Sequence, residues 1–285
     1  MKRIITILIL LSTYIFSNIN VVVSILPEKT FVKSIGGDKV TVALMVLPGN
    51  SPHTYEPKPS QMKEVAQADL YFAIDVEFEK VWLPKFKNLN SKMQIIDVTK
   101  GIHKLAMRSH LHDHQAEEHQ AAHESLDPHV WTSPANVKII AQNIYAALAK
   151  ADPDNEPYYQ QNLEIFLKKI DQTDQQIKSI LKKTPKGTKF MVFHPSWGYF
   201  AQEYGLVQLP VEIEGKSPKP RELIDLIKEA KKDKIKAIFT QPEFSDAVAK
   251  TMANELGIKV IKVSPMSEHW SKNLLTIAHA IAGNE

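Results

Sequence analysis

Residues 156–182 read EPYYQQNLEIFLKKIDQTDQQIKSILK. Tyr159, Leu163, Phe166, Ile170, Ile177 and Ile180 recur at helical spacing, and no Gly or Pro interrupts the run from Tyr159 to Ile180. That spacing lays one apolar stripe along one helix. At 1.5 Å per residue a helix of this length spans ~40 Å. Pro153 precedes it and Pro185-Lys186-Gly187 ends it.

On both sides of this rod, short β-rich runs alternate with helical patterns, which predicts parallel sheets in an α/β architecture. Before it, Val21–Leu26, Val40–Val46, Leu70–Ala73 and Met93–Val98 read as strands. One helix is expected near Pro59, with Met62, Val65 and Ala66 on a face, and another from Pro134, with Val137, Ile140, Ile144 and Leu148. After it, Phe190–Phe193, Val207–Val211, Ala237–Thr240 and Lys259–Val263 read as strands. Arg221–Lys231, Asp246–Leu256 and Ser271–Ala282 read as helices. Residues 106–126 have no apolar periodicity and read as a loop.

The expected organisation is therefore a leader (1–17), an N-terminal α/β lobe (18–153) that includes the loop 106–126, a linking helix (154–184) and a C-terminal α/β lobe (185–285). The halves echo each other: Gly49–Pro52 and Gly215–Pro218 both read Gly-x-Ser-Pro, and Pro57-Lys58-Pro59 matches Pro218-Lys219-Pro220.

The chain has 285 residues, 44% hydrophobic and 24% charged, the balance of a globular protein. Its net charge of +3 falls to +1 if Lys2 and Arg3 leave with a leader, and the basic residues are spread out, so no nucleic-acid partner is expected. Lys2-Arg3 followed by the apolar run Ile4–Phe16 reads as a secretory signal, too short to span a bilayer. There is no cysteine. That excludes a thiolate metal site and a lipid-anchored N-terminal cysteine. The expectation is a monomer, free in the periplasm and not membrane-anchored.

Three histidines stand out: His53 in Ser51-Pro52-His53, His129 in Asp127-Pro128-His129 and His194 in His194-Pro195-Ser196. Each is expected at a strand-to-helix junction, and parallel α/β folds bind ligands at the carboxyl ends of strands. Neighbouring prolines restrict the backbone at each position. Three imidazoles so held suit Zn²⁺. The loop adds His110, His112, His114, His119 and His123 among acidic residues, a composition that points to accessory metal binding. His103, His269 and His279 read as incidental. No His-Glu-x-x-His helix is present, so the site is not that of a zinc peptidase of that kind. Three histidines plus water still leave a secreted zinc hydrolase as the alternative, and an adhesin that uses metal for stability as a third reading.

Taken in order, Pro48-Gly-Asn-Ser-Pro-His53-Thr-Tyr-Glu56-Pro, Asp127-Pro-His129-Val-Trp131, Phe193-His194-Pro195-Ser196, Glu212-Ile-Glu214-Gly215-Lys and Gln241-Pro-Glu243-Phe-Ser resemble the periplasmic zinc-binding components of ABC uptake transporters, the ZnuA-type (cluster A-I) proteins. The resemblance covers nearly the whole chain after the leader. It implies two α/β lobes joined by one long rigid helix, with metal bound between them by His53, His129 and His194. It also implies Zn²⁺ as cargo, a histidine-rich acidic loop beside the site, and delivery to a membrane permease without catalysis. One departure concerns the fourth ligand. Where many relatives carry Asp-Pro late in the chain, this sequence has Ser264-Pro265. The fourth position then falls to water or to a carboxylate such as Glu56, Glu214 or Glu243. Loss of a hard carboxylate favours Zn²⁺ over Mn²⁺.

Overall fold

The computed structural model describes residues 18–107, 126–213 and 216–283. The expected leader, the five histidines from His110 to His123, and Glu214 lie outside the described residues. The first lobe runs β1 (Ile19–Val23), α1 (Leu26–Gly36), β2 (Val40–Leu44), α2 (Pro59–Gln67), β3 (Leu70–Ala73), α3 (Glu77–Leu89) and β4 (Gln94–Asp97). Then come α4 (Pro134–Ala151) and α5 (Glu156–Ile180). The second lobe runs β5 (Lys189–Val192), α6 (Gly198–Tyr204), β6 (Val207–Pro210), α7 (Pro220–Lys232), β7 (Ala237–Thr240), α8 (Ala247–Leu256), β8 (Lys259–Lys262) and α9 (Trp270–Ala282).

Each lobe holds a four-stranded, all-parallel sheet, ordered β2-β1-β3-β4 in the first and β6-β5-β7-β8 in the second. Parallel neighbours need crossovers, and helices supply them. In both sheets the strand order reverses beside the first strand of the lobe, between β1 and β3 and between β5 and β7. A crevice opens at the carboxyl ends there.

The segment Val21–Leu26, expected as one strand, divides. The strand ends at Val23 and α1 begins at Leu26. Pro27 sits in the helix's first turn, where a missing N–H is harmless. Two further helices were not anticipated. One is α3, whose pattern is broken by an internal Pro84, and the other is the seven-residue α6.

Tyr159, Leu163, Phe166, Ile170 and Ile177 form the buried stripe of α5, joined by Thr173. The helix packs on α1 and α4 of the first lobe and on α9 of the second. Phe166 meets the ring of Phe31 at 5.7 Å, and Thr173 shares a 2.6 Å hydroxyl contact with Ser271. One apolar core therefore extends from β1 through α5 to α9. In β5 the period of two separates the faces: Phe190 and Val192 join this common core, while Met191 joins a second core under α7 and α8.

Register supports the internal echo. Val23 pairs with Leu44, and Val192 pairs with Pro210. Gly49 and Gly215 each stand five residues beyond those partners. The helices that follow also start alike: the N–H of Lys58 donates to Gln61 Oε1 (2.9 Å), and that of Lys219 to Glu222 Oε2 (2.6 Å).

Candidate metal centre

His53, His129 and His194 line one cleft between the lobes, together with Glu77, Trp131, Gln241, Glu243 and Phe244. The ring of His194 lies between the other two, with centroids 5.4 Å from His53 and 5.4 Å from His129. His53 stands in the turn after β2, and His194 follows β5 by one residue beyond Phe193. His129 departs from expectation. The last strand before it, β4, ends at Asp97, and His129 instead caps a short 3-10 turn, Val130–Thr132, that leads into α4.

Each imidazole presents its Nδ1 to a carboxylate. His129 Nδ1 lies 2.7 Å from Asp127 Oδ1, which also accepts the His129 backbone N–H at 2.9 Å. His194 Nδ1 lies 2.7 Å from Glu212 Oε1. His53 Nδ1 faces Glu77 Oε2 at 3.5 Å. A carboxylate at Nδ1 keeps the proton there and leaves the Nε2 lone pair for a metal. His194 Nε2 is buried and has no hydrogen-bond partner among the described residues. An orphaned buried nitrogen is costly unless something else binds it.

The three histidines are not equivalent. His129 and His194 are buried, with side chains 9% and 10% exposed, whereas His53 is 35% exposed. Gln241 fixes His194 further, donating from Nε2 to its carbonyl (2.9 Å) and accepting its N–H at Oε1 (3.3 Å). Phe244 stacks on the imidazole at 4.9 Å. Burial holds the His53 imidazole below its usual pKa, with a smaller push from neighbouring His194 and opposition from Glu77 and Glu212. A neutral imidazole is the form that binds metal. Among the described residues, no group of three or more His, Asp or Glu side chains is placed so that it could hold a metal ion as the side chains stand.

Of the fourth-ligand candidates, Glu56 is exposed and is not among the cleft-lining residues. Glu243 lines the cleft, and its Oε1 accepts from Ser264 Oγ at 2.9 Å. The serine that replaces the expected aspartate thus holds a carboxylate at the site. Sequence reasoning missed Glu77 and the Nδ1 roles of Asp127 and Glu212. Asp127 alone had a local signal, two residues before His129. His103, His269 and His279 do not line the cleft.

The family model described as "Zinc-uptake complex component A periplasmic" matches residues 21–281. The chain belongs to this family. Among its curated relatives, the high-affinity zinc uptake system protein ZnuA of Bacillus subtilis (strain 168) is 32% identical over 85% of this chain and 76% of its own length. Zinc-binding protein AdcA of Streptococcus pyogenes serotype M3 is 30% identical over 87% of this chain, which spans only 50% of that longer protein. A ZnuA crystal structure superposes with a TM-score of 0.85 at 39% identity, covering 94% of this chain and 100% of that one. The zinc-uptake family is thus shared in sequence and fold. Among the described residues, no helix is long and apolar enough to cross a membrane.

Proposed function

We propose that this family member captures Zn²⁺ through the Nε2 atoms of His53, His129 and His194 and hands it to the membrane permease of an ABC transporter. The observation that carries the reading is the set of three imidazoles in one interlobe cleft, each backed by a carboxylate at Nδ1, with the buried His194 Nε2 left unpartnered. Water or Glu243 completes a four-coordinate sphere. Imidazole-rich donors suit Zn²⁺ better than Mn²⁺. His129 and His194 form the preset half of the site, and His53, on its turn, closes over the ion. The common core under α5 limits the lobes to a small rocking motion.

On this reading residues 1–17 direct secretion, and the chain acts in the periplasm as a carrier and not as an enzyme. The histidines of the segment 108–125 gather zinc weakly. The described residues on either side of that segment are paired: Ala106 bridges Leu126, and the Asp127 N–H donates to the Leu105 carbonyl at 2.8 Å.

The test is zinc titration of the purified protein beside His53→Ala and a deletion of residues 109–124. One tight site lost in His53→Ala, with weaker extra sites lost in the deletion, supports the reading. Tight binding that survives His53→Ala would overturn the three-histidine site. Zinc-dependent turnover of ester or peptide substrates would favour the hydrolase instead.

A further inference from the structure

Tyr199 lies in α6 of the second lobe and is buried, yet its hydroxyl serves the first lobe. It accepts the Leu105 N–H at 3.0 Å and donates to the Asp127 carbonyl at 2.8 Å. Leu105 and Asp127 are themselves paired through the Asp127 N–H. The residue before it, Gly198, makes room for the same aspartate. A Cβ at Gly198 would stand 2.6 Å from Asp127 Oδ2, too close for any real contact. Asp127 is thus seated by α6 at two points, its carbonyl held by Tyr199 and its carboxylate packed against the bare Cα of Gly198. The other oxygen of that carboxylate, Oδ1, meets the backbone N–H and the Nδ1 of His129.

We propose that the Gly198-Tyr199 turn is a cross-lobe positioning element for metal binding: the second lobe aims His129, through Asp127, at the cleft. The inference rests on His129 being a metal ligand. Neither residue touches the metal. Their effect is to hold the carboxylate that sets the imidazole's tautomer and direction. Groups behind a metal-bound histidine commonly change affinity by roughly 10–100-fold when removed. Burial pushes the Tyr199 hydroxyl up to about 12, so it remains a donor at any pH at which zinc would be bound.

The experiment compares Tyr199→Phe, Gly198→Ala and Tyr204→Phe in the full chain. Tyr204 is the control, since it lies on the same helix and its hydroxyl donates to Asp174 Oδ1 (3.0 Å), away from the cleft. Zinc affinity is read by competition with a chromophoric chelator, and site geometry by the visible d–d bands of the Co²⁺-loaded protein. Tyr199→Phe and Gly198→Ala are each expected to lower the affinity of the tight zinc site about 10-fold or more and to shift the Co²⁺ bands, with that site still binding one ion per chain. Tyr204→Phe should leave both within twofold and unshifted. Alanine at a helix start does not weaken the helix itself, so a loss in Gly198→Ala cannot be ascribed to a weakened α6. If one variant fails to fold, the other carries the test alone. Wild-type affinity and spectrum in the folded variants would overturn the proposal. His129→Ala separates this from the parent reading: if His129→Ala binds zinc normally, the ligand assignment has failed, and the turn has nothing to aim.

Discussion

Trp131 donates its indole N–H to the carbonyl of Pro265 across 2.8 Å, tying the turn after His129 to the loop after β8. The Trp131 carbonyl in turn accepts the indole N–H of Trp270 at 2.7 Å. Both tryptophans are buried, and Trp270 meets Phe31 edge-on at 5.8 Å. The cleft therefore has a hydrogen-bonded aromatic floor that belongs to both lobes. Trp131→Phe removes one N–H, strands a carbonyl and leaves a small void. Unfolding by urea should show a loss of about 2–4 kcal/mol. An unchanged midpoint would mean that the floor does not hold the lobes.

The burial difference between the histidines separates two effects. His53→Ala should abolish tight zinc binding with little change in apo stability, because its side chain is partly exposed. His194→Ala should abolish binding and also destabilise the apo protein, because it leaves the Glu212 carboxylate buried without its partner. Calorimetric titration and thermal melts of the two apo variants check this. Equal melting temperatures would contradict the burial argument.

The carboxylates behind the imidazoles should rank by distance and burial. Asp127→Asn and Glu212→Gln are expected to weaken zinc binding roughly 10–100-fold. Glu77→Gln should weaken it less, since Glu77 stands 3.5 Å from His53 at a half-open position. Chelator competition at constant pH gives the order, and a Glu77 effect larger than the other two would reverse it.

A buried carboxyl pair in the first lobe predicts an unusual pH profile for the apo protein. Glu79 accepts from Ser24 Oγ, from the Ile74 N–H at 2.9 Å and from the Asp75 N–H at 2.6 Å. Burial raises its pKa to about 7, and burial, with repulsion from Glu79, raises that of Glu28 well above the usual value. A raised carboxyl keeps its proton in the folded state after the unfolded chain has released it. The contribution of Glu79 to stability is then fully present below the ordinary value of 4.5 and is lost as pH rises toward 7, by up to about 1.4 kcal/mol per pH unit for one group. The depressed His53 works in the opposite sense, adding stability as pH rises through the usual histidine value of 6.5. It is more exposed and should be the weaker influence. Denaturant melts of apo protein from pH 5 to 8 should show a decline that Glu79→Gln reduces. A rise across that range would contradict the assignment.

Much of the fold was legible because periodicity survives in short elements. β3 and β7 fall where expected, over Leu70–Ala73 and Ala237–Thr240, and α5 occupies nearly its expected span. The misses have local causes. β1 and α1 merge into one apolar run, since Ile25 and Leu26 are as hydrophobic as the strand before them. Pro84 disguises α3, and α6 is too short for a period to emerge. The Gly-x-Ser-Pro echo became meaningful only through register, since in sequence Gly49 and Gly215 each follow by five residues a strand residue paired with the first strand of its lobe.

By itself the sequence determined the two alternating β/α halves, the rod between them and the three proline-flanked histidines. Each of these is written in contiguous residues, where spacing and backbone restriction act directly. Only the tertiary structure decided which carboxylates back those histidines. Glu77 meets His53 from the start of α3, and Glu212 meets His194 from 18 residues away. It also set Glu243 beside Ser264 and moved Glu56 out of the cleft. Hydrogen bonds and charge pairing depend on distances of a few ångströms, and the packing of the two lobes sets those distances.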